Sequence, residues 1–151
     1  ADPAALAAAC AAAAQHDPLV LVEEFVEGVE LTASIVGRRA LPLIRIEAPQ
    51  GNYDYHNKYF SDETRYLCPA GLAGDVEQAI RAQSLAAFDL IGCEGWGRLD
   101  LILDASGRWT FLEVNTSPGM TGHSLVPMSA REAGIAFDEL CVEILRGAHV
   151  G

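Results

Sequence analysis

Asp100, Glu113, Asn115 and Arg98 are the residues whose types and spacing could do chemistry together. They lie in two runs, 96–104 and 108–115, separated by Ser106 and Gly107. Runs of this length around a Ser-Gly pair read as a β-hairpin. With Ser106 and Gly107 as the two turn residues, Asp100 stands opposite Glu113 and Arg98 opposite Asn115. Directly opposed side chains have β-carbons about 4.5–5.5 Å apart, and like charges there repel. A cation must balance the two carboxylates. Arg98, on the same strand face, is one candidate and would make the group a structural ion-pair cluster. A divalent ion is the other, because two carboxylates and an amide are hard oxygen donors that suit Mg²⁺, with Glu113 able to bridge two ions.

The elements that must position this hairpin follow from periodicity. Asp2 can cap, and Pro3 can begin, an alanine-rich helix ending before Asp17-Pro18. Leu19 to Phe25 reads as a buried strand. Val29, Leu31, Ala33 and Ile35 alternate with Glu30, Thr32 and Ser34, the period of a half-buried strand. Gly37-Arg38 suits a two-residue turn into a return strand, Arg39 to Ile46, where Pro42 predicts an edge or a bulge. That register sets Glu30 opposite Arg45, so a surface salt bridge competes with any ligand-binding role for Glu30.

Glu47 to Leu72 has no sustained period, and its aromatic residues Tyr53, Tyr55, Tyr59, Phe60 and Tyr66 favour a packed functional loop over disorder. Asp75 to Ile91 reads as an amphipathic helix with Val76, Ala79, Ile80, Gln83, Ala87 and Leu90 on one side, closed by Gly92. Met128–Ala133 and Phe137–Leu145 read as short helices. The fold class is α/β of the α+β type, a largely antiparallel sheet with flanking helices in one domain, 1–151.

Composition excludes several functions. The formal net charge of −11 argues against nucleic acid, which is held mainly by clustered Lys and Arg. No apolar run approaches a membrane span, and no targeting signal is visible. Cys10, Cys68, Cys93 and Cys141 form no CxxC pair and read as reduced thiols. His123 beside Ser124 lacks the acid partner and elbow pattern of a hydrolase. Lys58 is the one lysine among nine arginines, so an ammonium is singled out there. Without an initial methionine, the chain reads as a piece of something longer.

Longer stretches carry a family resemblance. Gly95-Trp96-Gly97-Arg98-Leu99-Asp100, followed by Leu112-Glu113-Val114-Asn115-Thr116-Ser117-Pro118-Gly119-Met120-Thr121, resembles the signature of D-alanine-D-alanine ligases, which are ATP-grasp enzymes. Tyr53-Asp54-Tyr55-His56-Asn57-Lys58-Tyr59 and Tyr66-Leu67-Cys68-Pro69-Ala70-Gly71 are similar to that family's active-site loop. Leu21-Val22-Glu23-Glu24-Phe25 is similar to its adenine-contacting strand, and His123 to Met128 to its substrate-binding turn.

The resemblance implies the carboxyl-terminal part of an ATP-grasp, with ATP and two Mg²⁺ ions, or Mn²⁺, as cofactors. Asp100, Glu113 and Asn115 would hold the metals. Arg98 and Gly119 would lie near the transferred phosphate and the oxyanion of the tetrahedral intermediate. Glu23, Glu24 and Val26 would meet the adenine edge, the last two through backbone groups. Glu30 would take the ribose hydroxyls, Leu112 would floor the base, and Lys58 would pair with phosphate. Tyr59 would close over the second D-alanine, whose carboxylate Ser124 and Leu125 would contact. The resemblance further implies a cytoplasmic bacterial enzyme, homodimeric at full length. Asn52, Glu24 and Gly122 depart from common family residues. The family's amino-terminal domain, glycine-rich phosphate loop and two earlier ATP-binding lysines have no counterpart in this sequence. A related ligase with another acceptor, or a non-catalytic nucleotide-binding piece, stay open as alternatives.

Overall fold

The structure, a computed structural model, describes residues 2–47 and 64–148. Helix α1 (Pro3–Ala13) begins as its sequence dictates, with Asp2 accepting a hydrogen bond from the Ala4 N–H at 3.1 Å and proline in the first turn. It buries no residue. Among the described residues, six strands form one antiparallel sheet: β1 (Val29–Val36), β2 (Arg39–Ala40), β3 (Ile44–Glu47), β4 (Arg65–Leu67), β5 (Trp96–Leu103) and β6 (Trp109–Asn115). The order is β4-β3-β1-β5-β6, with β2 also pairing β1. Helices α2 (Gly74–Leu90), α3 (Leu125–Glu132) and α4 (Phe137–Arg146) flank it.

The two sheet faces are covered differently. Leu31, Ala33, Ile35, Leu99 and Leu101 pack with Ile80 and Phe88 of α2. On the other face Val36 and Leu41 meet Val126, Ala130 and Leu140, while Ile44 and Ile46 meet Leu125. Each fully buried Leu, Ile or Phe contributes about 1.5–3 kcal/mol. Polar Thr32 and Ser34 are 0% exposed. The alternation along β1 therefore separates an apolar from a polar buried face, in place of the expected half-buried strand, because α3 packs over the second side.

Gly97 shows how tightly α2 is seated. A β-carbon there would lie 2.7 Å from Phe88 Cε2 and 3.0 Å from the Asn115 carbonyl oxygen. Phe88 is itself buried, so overpacking of this kind costs about 1–3 kcal/mol. Gly97→Ala is expected to lower the thermal unfolding midpoint by several degrees. An unchanged midpoint in calorimetry would show that Phe88 can move aside freely.

Several expectations need correction. Leu19–Phe25 is not a strand; Leu19, Leu21, Val22 and Phe25 are exposed, and no described residue pairs with the run. An apolar run of this length specifies a need for cover without specifying where the cover is. The buried face of α2 runs through Ile80, Ser84 and Phe88; Val76 and Ala87 pack beside it as expected, while Gln83 and Leu90 are exposed. The α3 helix starts at Leu125 because Pro127 sits in its first turn, where no backbone donor is required. The last part of the expected 47–72 loop forms β4 on the edge of the sheet. Residues 48–63 lie outside the described residues.

Pro42 does interrupt its strand, dividing β2 from β3. The two-residue turn holds, with Val36 opposite Arg39 and Gly37 at φ 59°. Past Pro42 the register has slipped by one, so Glu30 pairs with Ile46 and Leu31 with Arg45. A one-residue slip reverses the face of every side chain. Arg45 is therefore on the α2 side of the sheet and Glu30 on the polar side, which removes the expected salt bridge between them. Arg45 Nε instead lies 3.2 Å from Glu47 Oε1, near enough for charge attraction though it makes no hydrogen bond.

Candidate functional site

The β5–β6 hairpin reaches the expected pairing by an unexpected route. Its turn has three residues, Ala105, Ser106 and Gly107. Asp104 and Arg108 close it through an N–H to carbonyl bond of 2.9 Å, and Gly107 has φ 85°. The Asp104 carboxylate accepts from the Ser106 hydroxyl at 2.6 Å, the Ser106 N–H at 2.8 Å and the Arg108 N–H at 3.0 Å. The Ser106 hydroxyl is the main cause holding this carboxyl below its ordinary pKa. Near the turn, Leu103 opposes Trp109 and Leu101 opposes Phe111. The register then shifts between Asp100 and Leu101, leaving Leu112 as the extra residue of a bulge. Beyond it Asp100 faces Glu113 and Arg98 faces Asn115. The longer turn and the bulge offset one another.

Strand β1 extends these pairs into rows. Ser34, Arg98 and Asn115 form one; Thr32, Asp100 and Glu113 form the next; Glu30, Ile102 and Thr110 form a third. All three rows share the polar face. Successive rows are about 6.6 Å apart along the strands. Arg98 and Asp100 are each 7% exposed. Arg98 Nε donates to Asp100 Oδ1 at 2.9 Å and its terminal nitrogen to Oδ2 at 2.7 Å. Glu113 is exposed, and Asn115 Oδ1 accepts the Ser117 N–H at 3.0 Å.

The oxygen donors fit Mg²⁺ or Mn²⁺ in kind: two carboxylates opposed in one row and an amide oxygen in the next. As a ligand, Asp100 would share its oxygens between the cation and Arg98, which compete for them. Among the described residues no group of three or more His, Cys, Asp or Glu stands where it could hold a metal, so water or phosphate oxygens would complete any coordination sphere here.

The 115–125 segment brings a second set together. A β-carbon on Gly119 would lie 2.9 Å from Ser124 Oγ. That hydroxyl accepts the Thr121 N–H at 2.9 Å and lies 2.9 Å from the Thr121 hydroxyl. Leu125 is 7% exposed, with its side chain packed against Ile44 and Ile46. Any ligand contact it makes falls to its backbone N–H. At the start of α3, the Leu125 and Val126 N–H groups have no intrahelical acceptor, an arrangement that favours anions.

Other expected residues are more dispersed. Glu23 and Glu24 are exposed and Val26 is half-buried, all in the unpaired segment before β1. Gly28 anchors that segment, because a β-carbon there would come within 2.3 Å of the Leu103 carbonyl oxygen. Leu112 is 49% exposed on the bulge. Lys58, Tyr59 and the departure at Asn52 lie outside the described residues.

Ser34, Thr32 and Thr121 were not singled out from sequence. Thr32 and Ser34 had a usable signal, their parity with Glu30 along β1. All four cysteines are free, as expected. Burial, with Glu132 and Glu77 nearby, pushes the Cys68 thiol up to about 11, so it is no ready nucleophile. No helix among the described residues is long and apolar enough to cross a membrane.

Comparison with known proteins agrees with this geometry. The family model described as "D-ala D-ala ligase C-terminus" matches residues 2–146. The D-alanine--D-alanine ligase of Nitrosospira multiformis is 60% identical over 146 residues, 97% of this chain and 48% of that protein. The Azoarcus enzyme of the same name is 59% identical over the same shares. Among solved structures, the Bacillus anthracis ligase complexed with ATP superposes with a TM-score of 0.81 at 28% identity, covering 97% of this chain and 46% of that one. The VanG D-Ala:D-Ser ligase of Enterococcus faecalis gives 0.84 at 30% identity, covering 96% and 43%. The chain thus spans about half the length of the relatives it matches. A sheet with the Asp100–Glu113 and Arg98–Asn115 pairs on one face, matched from end to end in this way, belongs to the D-alanine-D-alanine ligase carboxyl-terminal family.

Proposed function

We propose that this chain is the metal- and ATP-binding half of an ATP-grasp ligase joining two D-alanines to D-alanyl-D-alanine for peptidoglycan precursor synthesis. The observation that carries the proposal is the opposition of Asp100 to Glu113 beside Arg98 and Asn115, in a chain of this family. Asp100, Glu113 and Asn115 would hold two Mg²⁺ or Mn²⁺ ions, with Glu113 shared. Bound there, the metal neutralises the phosphate charge that otherwise repels an attacking carboxylate.

The chain's own groups then position the reaction. Glu23, with the backbones at Glu24 and Val26, orients the adenine over Leu112, and Glu30 accepts the ribose hydroxyls. Lys58 and Arg98 balance charge on the phosphoryl group as it passes to the first D-alanine's carboxylate, giving an acyl phosphate. The second D-alanine is held by its carboxylate at Ser124 and the Leu125 N–H, where the α3 N-terminus favours an anion. Its amine attacks the acyl phosphate, and phosphate leaves. Gly119 and Arg98 supply donors to the oxyanion, and Tyr59 closes the loop over the acceptor. Such preorganised donors contribute most in a site from which water is excluded. In the same reading the full-length protein is a cytoplasmic homodimer.

The test compares this chain with the protein extended to its natural start, following ADP release and dipeptide mass with D-alanine, D-serine and D-lactate side by side. The extended protein is expected to make D-alanyl-D-alanine. The chain alone is expected to bind Mg-ATP weakly and form none, since each charge-assisted hydrogen bond that the other half would supply is worth about 1.5–3 kcal/mol. Dipeptide formed by the chain alone at a comparable rate overturns the division of labour. A preference for D-serine, the acceptor of the similarly folded VanG enzyme, overturns the acceptor assignment.

A further inference from the structure

Among the described residues of the polar face, the Ser34 hydroxyl is a buried group that is neither used by the proposed reaction nor hydrogen-bonded. Ser34 is 0% exposed, and its Oγ makes no hydrogen bond. A buried hydroxyl without a partner destabilises the fold. Such an expense in the middle of a well-packed sheet points to a partner present in another state. The other buried side-chain atom of this kind among the described residues, Arg45 Nε, is a donor on the opposite face of the sheet.

Register names the partner. Ser34 is directly opposite Arg98, whose guanidinium reaches along its own strand to both oxygens of Asp100. Opposed β-carbons lie about 4.5–5.5 Å apart, within the reach of an arginine that folds across the strands. A divalent cation on one Asp100 oxygen draws on the same electron density as the guanidinium and competes with the Arg98 N–H for that oxygen. When the cation takes that oxygen, a buried N–H of Arg98 needs a new acceptor.

We infer that Ser34 is a positioning residue: its hydroxyl accepts the Arg98 N–H released when Asp100 turns to a divalent cation. This rests on the metal reading given above. In the metal-free state Arg98 shields Asp100 and Ser34 waits unpartnered. In the metal-bound state Ser34 holds the guanidinium beside the ion, with its remaining donors directed at phosphate. The arrangement makes metal entry and arginine placement one event, and it lowers the penalty for separating the buried ion pair.

Mn²⁺ titration of the full-length protein, followed by the electron paramagnetic resonance of the free ion, tests this together with the metal-free unfolding midpoint. Ser34→Ala is expected to weaken Mn²⁺ binding about ten-fold, the lower end for a hydrogen bond to a charged group. The same substitution should raise the metal-free midpoint by about 1–3 °C, because it deletes an unsatisfied hydroxyl. Ser34→Cys, similar in volume and a poor acceptor, should weaken Mn²⁺ equally. A merely structural serine would not move binding and stability in opposite directions. Asp100→Asn separates the two layers. If it weakens Mn²⁺ binding and Ser34→Ala does not, the Ser34 inference alone is overturned; if Asp100→Asn has no effect, the metal reading falls and the inference with it. A crystal structure of the Mn²⁺ complex with Arg98 still two-pronged on Asp100 would likewise overturn it.

Discussion

Glu113→Gln in the full-length protein should abolish metal-dependent ATP turnover while leaving the fold intact. The substitution keeps the side chain's length and one oxygen and removes the charge proposed to serve two ions. Removing one preorganised electrostatic interaction with a transition state typically costs about 10²–10³ in rate. A residue shared by two metals should fall at or beyond the upper end. Stability should change little, because Glu113 is exposed and changes at such sites lie within about 0.5 kcal/mol. Removing one of two like charges in direct opposition could only relieve repulsion with Asp100. Steady-state ADP release over a Mg²⁺ titration, with circular dichroism melting as the control, checks both halves. Near-normal turnover at saturating Mg²⁺ would sink the bridging role.

Arg98→Met should be the most destabilising single change at the site, and its response to metal should distinguish an ion-pair cluster from a metal centre. Methionine fills most of the space of the arginine stem but leaves Asp100, 7% exposed, without its two charge-assisted hydrogen bonds. Removing one partner of a buried pair costs about 3–5 kcal/mol, because the remaining charge is uncompensated. In a metal site a divalent cation can take the guanidinium's place. Mn²⁺ at 100 times its dissociation constant would return about 2.7 kcal/mol by mass action. Denaturant unfolding with and without Mn²⁺ should therefore show a larger metal-induced gain in the variant than in the unsubstituted protein. No gain in either would identify Arg98 and Asp100 as a structural pair only. Turnover should be lost in the variant whichever holds, since the proposed reaction also sets this arginine against the transferred phosphate.

The sequence by itself determined most of the chemistry. Asp2-Pro3 defines the start of α1, Gly37-Arg38 the first turn, and Pro42 the break between β2 and β3, because capping, turn conformation and a missing N–H are properties of the residues themselves. The grouping of Arg98, Asp100, Glu113 and Asn115 was legible from hairpin pairing alone, as was the family from the stretches around them. Only tertiary structure decided the details of register. The three-residue turn after Asp104 and the bulge at Leu112 each displace the pairing by one, and the correct opposition of Asp100 to Glu113 survives because they cancel. The slip after Pro42 has no such compensation, so it carries Arg45 away from Glu30 to the other face. Burial was decided in the same way. Thr32 and Ser34 have the polarity of a solvent-facing row, yet they are buried on a face that α3 packs against, while Leu19 to Phe25 has the polarity of a core strand and pairs with nothing among the described residues. Local patterns specify which faces alternate; which face meets water depends on elements distant in sequence, and the side chains of Arg98, Asp100 and Ser34 acquire their roles only where those elements close over them.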